Sequence, residues 1–173
     1  GAVAAALDAP AHIRIDKGVR PASGLGSSAA SAAAAAVALN ELYDLGRTRE
    51  ELVPAAAEGE AAASGDAHAD NVAPALLGGF TVVTDGGVAQ VSPRLSLVAC
   101  LPEVVVSTRD ARGVVPESAS MADLVETVGN AATLAVGMCR GDPDLVGRGM
   151  DDPVVTPARR DLVTGAEAVR EAA

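Results

Sequence analysis

Apolar residues recur three or four positions apart in several parts of the chain, a spacing that is typical of helices burying one face. Alanine dominates one such segment, which Gly46 closes, and Thr48 and Glu51 then have the Thr-x-x-Glu spacing of a capping box. In chain order, helices are predicted at 27–45, 49–63, 72–77 and 120–139.

Other segments alternate between apolar and polar residues or are rich in β-branched residues, as strands are. His12-Ile13-Arg14-Ile15 alternates, and Asp85-Gly86-Gly87 supplies a turn between two short β-branched runs. In chain order, strands are predicted at 12–15, 80–84, 88–91, 95–101 and 104–106.

The composition changes near residue 85, where the alanine-rich helical half gives way to a strand-rich stretch. We therefore expect two domains, 1–84 and 85–173. The mixture of helices and strands predicts a fold of the α/β (α+β) class.

The overall charge argues against nucleic acids and membranes as binding partners. The 173 residues are 49% hydrophobic and carry 23 acidic against 13 basic side chains, so the formal charge is −10. Such a surface repels the phosphates of nucleic acids and anionic lipid headgroups. No run approaches the roughly 20 consecutive apolar residues of a membrane helix. We expect a soluble protein that binds neither nucleic acid nor a membrane.

The two cysteines, Cys100 and Cys139, lie among apolar residues without the CxxC or CxxH spacing of metal and redox sites. This pattern favours small, buried hydrophobic side chains. It also fits a reducing compartment, so we predict a cytoplasmic location.

The run Pro21-Ala22-Ser23-Gly24-Leu25-Gly26-Ser27-Ser28-Ala29-Ala30 carries the clearest chemistry. Two closely spaced glycines let a loop turn its N–H groups toward an anion, and the helix that follows adds its positive dipole end. No Gly-Lys-Ser/Thr follows, so we expect a divalent metal rather than a lysine to neutralise bound phosphates. The alternative reading is a tight turn before a helix that Ser27 caps.

This run resembles the phosphate-binding motif Pro-x-x-x-Gly-Leu-Gly-Ser-Ser-Ala/Gly of the GHMP small-molecule kinases, which implies their two-domain fold. Residues 1–84 would then be the last part of the nucleotide-binding N-terminal domain. Residues 85–173 would begin the C-terminal domain, in which helices pack on an antiparallel sheet. Within that superfamily the chain resembles the homoserine kinases, whose pattern includes His-Ala-Asp-Asn-Val-x-Pro-Ala. The segments that carry this second resemblance are 58–60, 64–75, 78–80, 107–112 and 157–159.

The resemblance implies that ATP and Mg²⁺ bind at the start of the alanine-rich helix. It makes Ser28 and Glu60 the metal ligands and leaves Glu58 solvated. The implied ATP-binding residues are Pro21, Ala22, Ser23, Gly24, Leu25, Gly26, Ser27, Ser28, Ala29, Ala30 and Ser31.

The same resemblance implies the substrate L-homoserine, with its hydroxyl phosphorylated to O-phospho-L-homoserine on the route to threonine. Arginine is suited to a substrate carboxylate because its planar guanidinium donates two parallel hydrogen bonds. Asp70 is the candidate base and Thr108 a residue that orients the hydroxyl. The implied substrate-binding residues are His68, Asp70, Asn71, Arg112 and Arg159.

Members of the family are about twice as long, so we interpret the chain as a fragment that lacks both termini and is inactive when isolated. A homodimer is compatible with the resemblance. The alternatives are another GHMP kinase, acting for example on mevalonate or shikimate, and a non-catalytic nucleotide-binding module.

An acidic surface with a single lysine, Lys17, is typical of proteins kept soluble in concentrated salt, although a GC-rich genome produces a similar bias. If the first reading holds, raising KCl from about 0.1 M to 2 M should raise the melting temperature of the full protein, because screening weakens the repulsion between acidic groups. Melting curves across this range measure the effect, and a flat or falling midpoint would favour genome composition.

Overall fold

A computed structural model describes residues 1–65, 67, 69–101 and 103–172. The chain divides into two compact units, Gly1–Val91 and a second that begins at Ser92. The boundary predicted after residue 84 lies seven residues before the division that the structure shows. It would separate the two strands of a hairpin. The assignment of the two segments to family domains stays a prediction.

The first unit is a layer of helices followed by a hairpin. Helices α2 and α3 pack on each other and on α4 through small side chains, and Leu52 and Val72 are the largest side chains that are fully buried there. Its elements are α1 (Ala2–Ala6), α2 (Ser27–Leu42), α3 (Arg49–Ser64), α4 (Ala69–Leu77), β1 (Phe80–Thr84) and β2 (Gly87–Val91).

Helix α3 begins with the predicted capping box. The Thr48 side chain accepts a hydrogen bond from the Glu51 N–H at 3.3 Å, and the Thr48 N–H donates to Glu51 Oε2 at 2.8 Å. The hydrogen bond from the Thr48 backbone lowers the pKa of the Glu51 carboxyl. These local bonds satisfy N–H groups that the first turn of a helix leaves without a partner.

The hairpin β1–β2 is antiparallel, with Phe80 opposite Val91 and Thr84 opposite Gly87. It packs against α4. Gly79, at φ 68°, precedes β1 and lies so close to the Val91 carbonyl that a Cβ would clash with it. This close approach explains a glycine at the start of the strand.

The second unit is helical within residues 92–101 and 103–172. Helices α6 and α7 form its main contact, where Gly137 faces Val146 and Leu145, and a Cβ there would lie 2.7 Å from the Val146 nitrogen. Its elements are α5 (Thr108–Gly113), α6 (Met121–Arg140), α7 (Pro143–Gly149), α8 (Val155–Arg159), the 3₁₀ helix Arg160–Leu162 and α9 (Ala166–Ala172).

The predicted helices and the hairpin are confirmed, with small differences at their ends. Helix α2 ends at Leu42, three residues before the predicted end, where Asp44 and Gly46 have positive φ values of 49° and 64°. Helix α4 begins at Ala69, three residues before the predicted start.

Three predicted strands are wrong. Residues 12–15, 95–101 and 104–106 form no strand, and the sheet expected in the second domain is not found in the described residues from 92 onward. An apolar or alternating pattern forms a strand only if a neighbouring strand takes up its backbone hydrogen bonds. No described segment pairs with these three.

The prediction of buried cysteines is also wrong, because Cys100 and Cys139 are both exposed. Cys139 lies in the last turn of α6, whose buried position is Gly137. Cys100 lies in a segment without regular structure. Across the part of the chain that the structure describes, no helix has the length and hydropathy needed to span a membrane.

Candidate functional site

The glycine loop leads directly into α2. Gly24 and Gly26 have positive φ values of 77° and 68°, and Gly26 is the residue before the helix. Among the described residues, no side chain caps the start of this helix. The first N–H groups of α2 therefore lack a side-chain acceptor, and such groups together with the helix dipole favour an anion. The alternative in which Ser27 caps the helix does not hold, since Ser27 is already its first helical residue.

Ser27 instead joins the two ends of the loop. Its buried hydroxyl donates to the Val19 carbonyl at 2.8 Å. The ammonium of Lys17 donates to Ser27 Oγ at 3.2 Å and to the Ser27 carbonyl at 3.4 Å. The segment before the loop is thus tied to the first turn of the helix after it.

Lys17 therefore lies at the start of α2, although the loop lacks the Walker lysine and a divalent metal was expected to neutralise bound phosphates. It precedes Ser27 by ten residues, too far for the Walker spacing, and reaches the helix start because the loop folds back. The sequence feature that could have drawn attention to this residue is that Lys17 is the only lysine of the chain.

Ser28 and Glu60 lie together although 32 residues separate them. The Ser28 hydroxyl donates to Glu60 Oε1 at 2.9 Å, and Glu60 is only 5% exposed. Glu58, two residues earlier on α3, is exposed, as expected. The structure therefore brings together the two residues predicted to hold a metal. Their hydroxyl and carboxylate oxygens are donors that suit Mg²⁺.

Asn71 lies on the other side of the loop. A methyl group at Gly26 would be 3.5 Å from Asn71 Oδ1, so the amide lies beside the last residue of the glycine loop. Asp70 precedes it in the first turn of α4 and is exposed. His68, the other predicted substrate residue of this segment, lies outside the described residues.

An open cleft of about 340 Å³ adjoins the start of α2. Small and aliphatic side chains of α1, α2 and α3 form most of its wall, and Ile13 and Ile15 form one edge. The polar side chains that line it are those of Lys17, Ser28 and Ser31. The cleft thus begins at the residues that tie the loop to the helix.

The remaining predicted residues belong to the second unit. Arg112 is exposed in the last turn of α5, and Arg159 Nε donates to the Ala111 carbonyl at 2.7 Å. Arg159 therefore contacts α5, the helix that carries Arg112. The two arginines thus lie in the same part of the second unit. Thr108 begins α5, and its side chain is outside the described part.

Comparison with known proteins places this geometry in a family. Residues 1–79, which include the loop, Ser28, Glu60 and Asn71, match the model of the GHMP kinases N terminal domain.

The chain is thus similar to the GHMP kinases. The family explains why the glycine loop and the pair on α2 and α3 occur together.

Relatives match beyond that domain. A homoserine kinase of Natronomonas pharaonis is 74% identical over 173 residues, which are 100% of this chain and 60% of that protein. One of Methanocella arvoryzae is 49% identical over 174 residues, 100% of this chain and 58% of that protein. The chain thus spans about 60% of the length of these curated relatives.

A solved structure shows the same fold. The homoserine kinase of Cytophaga hutchinsonii superimposes with a TM-score of 0.78 at 39% identity, covering 90% of this chain and 51% of that one. The GHMP kinase fold predicted from the loop motif is therefore confirmed.

The contacts of Ser27 lead to a stability prediction. Ser27→Ala should lower the unfolding free energy by about 1 kcal/mol, because the half-buried Val19 carbonyl loses the hydrogen bond from the buried Ser27 hydroxyl. For a chain of this size the melting temperature should fall by about 2–4 °C. Thermal unfolding followed by circular dichroism measures this shift.

Ser31→Ala is the matched control on the same helix. The Ser31 hydroxyl donates to the Ser27 carbonyl at 2.9 Å, a bond back along the helix that adds little stability. Equal shifts for the two variants would show that the Val19 bond does not hold the loop.

Proposed function

We propose that the full protein containing this chain transfers the γ-phosphoryl group of ATP to the side-chain hydroxyl of L-homoserine, giving O-phospho-L-homoserine, ADP and a proton. The observation that carries the proposal is the match to homoserine kinases along the whole chain, which includes the loop on α2 and both arginines of the second unit. The pathway is then threonine biosynthesis, and the compartment the cytoplasm. A homodimer is compatible with it.

The triphosphate would bind at the glycine loop, residues 21–31. Support comes from the positive φ of Gly24 and Gly26, which turns the backbone toward the ligand, and from the uncapped N–H groups of α2. The ammonium of Lys17 adds positive charge at the same helix start. Phosphoryl transfer depends mainly on positioning and charge stabilisation, both of which such a loop provides.

Mg²⁺ would be held by Ser28 and Glu60. The fit rests on the chemistry of the pair, a hydroxyl 2.9 Å from a buried carboxylate, which are both oxygen donors. When bound, the ion neutralises charge on the phosphates. The described residues contain no group of three His, Cys, Asp or Glu side chains placed for a metal, so phosphate oxygens and water would complete the coordination.

The acceptor would bind on the α4 side of the loop. Asn71 lies beside Gly26, where a hydroxyl could approach the terminal phosphate, and Asp70 is the candidate base in the same turn. His68 is the third proposed contact here. Arg112 and Arg159 would bind the carboxylate as bidentate donors, and Thr108 would orient the hydroxyl.

Turnover by the full protein tests this function. With ATP and Mg²⁺ it should phosphorylate homoserine and leave mevalonate and shikimate unchanged, as measured by ADP release and mass spectrometry of the product. Arg112→Leu should lower kcat/KM for homoserine roughly 30- to 1,000-fold, because a charged bidentate contact is worth about 2–4 kcal/mol. Arg148→Leu, which removes an exposed cation from α7, should not change kcat/KM.

Two results would contradict the proposal. Turnover of another alcohol would indicate a different GHMP kinase. Nucleotide binding without any product would indicate a non-catalytic module.

The metal assignment has its own test. Glu60→Gln should raise the Mg²⁺ concentration for half-maximal activity about 10-fold or more, because the amide replaces a charged ligand. Glu58→Gln removes an exposed carboxylate from the same helix and should leave this concentration unchanged. Titration with Mg²⁺ at saturating ATP measures both. An unchanged titration for Glu60→Gln would remove Glu60 from the metal site.

A further inference from the structure

The turn between α7 and α8 is fastened to α6 at two points. Gly149, the buried last residue of α7, lies so close to the Leu134 backbone that a Cβ would clash with it. Four residues earlier on α6, Asn130 Nδ2 donates to the Asp151 carbonyl at 3.0 Å. Because positions four residues apart lie on one face of a helix, both contacts hold the same stretch of chain against the same side of α6.

Asp152 then directs the chain from this turn into α8. Its Oδ1 accepts hydrogen bonds from the Val154 N–H at 2.8 Å and from the Val155 N–H at 2.7 Å. One carboxylate oxygen thus satisfies N–H groups that the start of a helix leaves without a partner. Helix α8 has only five residues, and so short a helix is not stable by itself. The position of its last side chain, Arg159, therefore depends on how its start is held.

Arg159 is also held at its own end. Its Nε donates to the Ala111 carbonyl at 2.7 Å, although 48 residues separate the two. Ala111 lies in α5, directly before Arg112, and the last carbonyl groups of a helix attract cations. The guanidinium has five N–H donors and Arg159 is exposed, so its two terminal amino groups are placed to bind a carboxylate from solvent.

We propose that Asn130 is a positioning residue for the carboxylate site of the acceptor. Its amide holds the Asp151 carbonyl on α6, and the adjacent Asp152 sets the start of α8. Helix α8 in turn brings Arg159 to α5, beside Arg112. The inference rests on the proposed function, in which both arginines bind the carboxylate of L-homoserine. Asn130 acts on that carboxylate through the position of α8.

Asn130→Asp in the full protein tests the proposal, because it replaces the donor with an acceptor of the same size that repels the Asp151 carbonyl. The KM for homoserine should rise roughly 10-fold, whereas the KM for ATP and kcat should stay within about 2-fold, since the carboxylate contact is present in ground state and transition state alike. Steady-state kinetics with each substrate varied in turn measures this split. Ala131→Asp adds the same charge at the next, exposed position of α6 and should leave both KM values unchanged.

Asn130→Ser keeps the test decisive if the aspartate variant does not fold. It removes the amide donor without adding a charge, and it should raise the KM for homoserine in the same way. A KM for homoserine like that of the parent in the folded serine variant would overturn the proposal. Equal increases in both KM values, or a fall in kcat alone, would indicate a general structural role and would overturn it as well.

A double-mutant cycle tests the route through Arg159. If Asn130 acts through Arg159, adding Asn130→Ser to Arg159→Leu should raise the KM for homoserine by less than about 2-fold beyond Arg159→Leu alone. Multiplication of the two single effects would overturn the proposal.

The single variants separate this inference from the proposed function. A raised KM for homoserine in Arg159→Leu together with a KM like that of the parent in Asn130→Ser would overturn the role of Asn130 and leave the carboxylate contact in place. A KM like that of the parent in Arg159→Leu would contradict the carboxylate contact and the role of Asn130 with it.

Discussion

The close approach of α2 and α3 through small side chains determines the geometry at the start of α2. Ala29, Ala32 and Ala36 are buried on α2, and a Cβ on Gly59 of α3 would lie 3.1 Å from Ala32. Larger side chains would separate the helices, and the Ser28 hydroxyl could then no longer reach Glu60 at 2.9 Å. The polar pair therefore depends on an interface that contains almost no polar atoms.

Elements with local signals could be predicted from the sequence. Thr48 and Glu51 are three residues apart and fix the start of α3, while Asp85 and Gly86 turn the chain between β1 and β2. The failed strands at 12–15 and 95–101 have equally clear patterns. Their formation depends on a partner strand, which neither pattern identifies, so sequence periodicity alone could not decide them.

In the candidate site, too, features with a local sequence signal could be predicted and contacts between distant residues could not. The glycine loop is a local motif, and its backbone conformation agrees with the prediction from Gly24 and Gly26. The pairing of Ser28 with Glu60 was accessible only through the family resemblance, because 32 residues lie between them. The contact of Lys17 with Ser27 was missed altogether, since it arises from the fold-back of the intervening loop rather than from any short spacing.

The placement of Lys17 also makes the loop chemically addressable. As these 173 residues contain no other lysine, a reagent that acylates amines has a single side-chain target among them. A fluorophore attached to that nitrogen would lie at the entrance to α2, next to the cleft. The amino-acid composition thus provides a reporter position at the glycine loop without the introduction of a new residue.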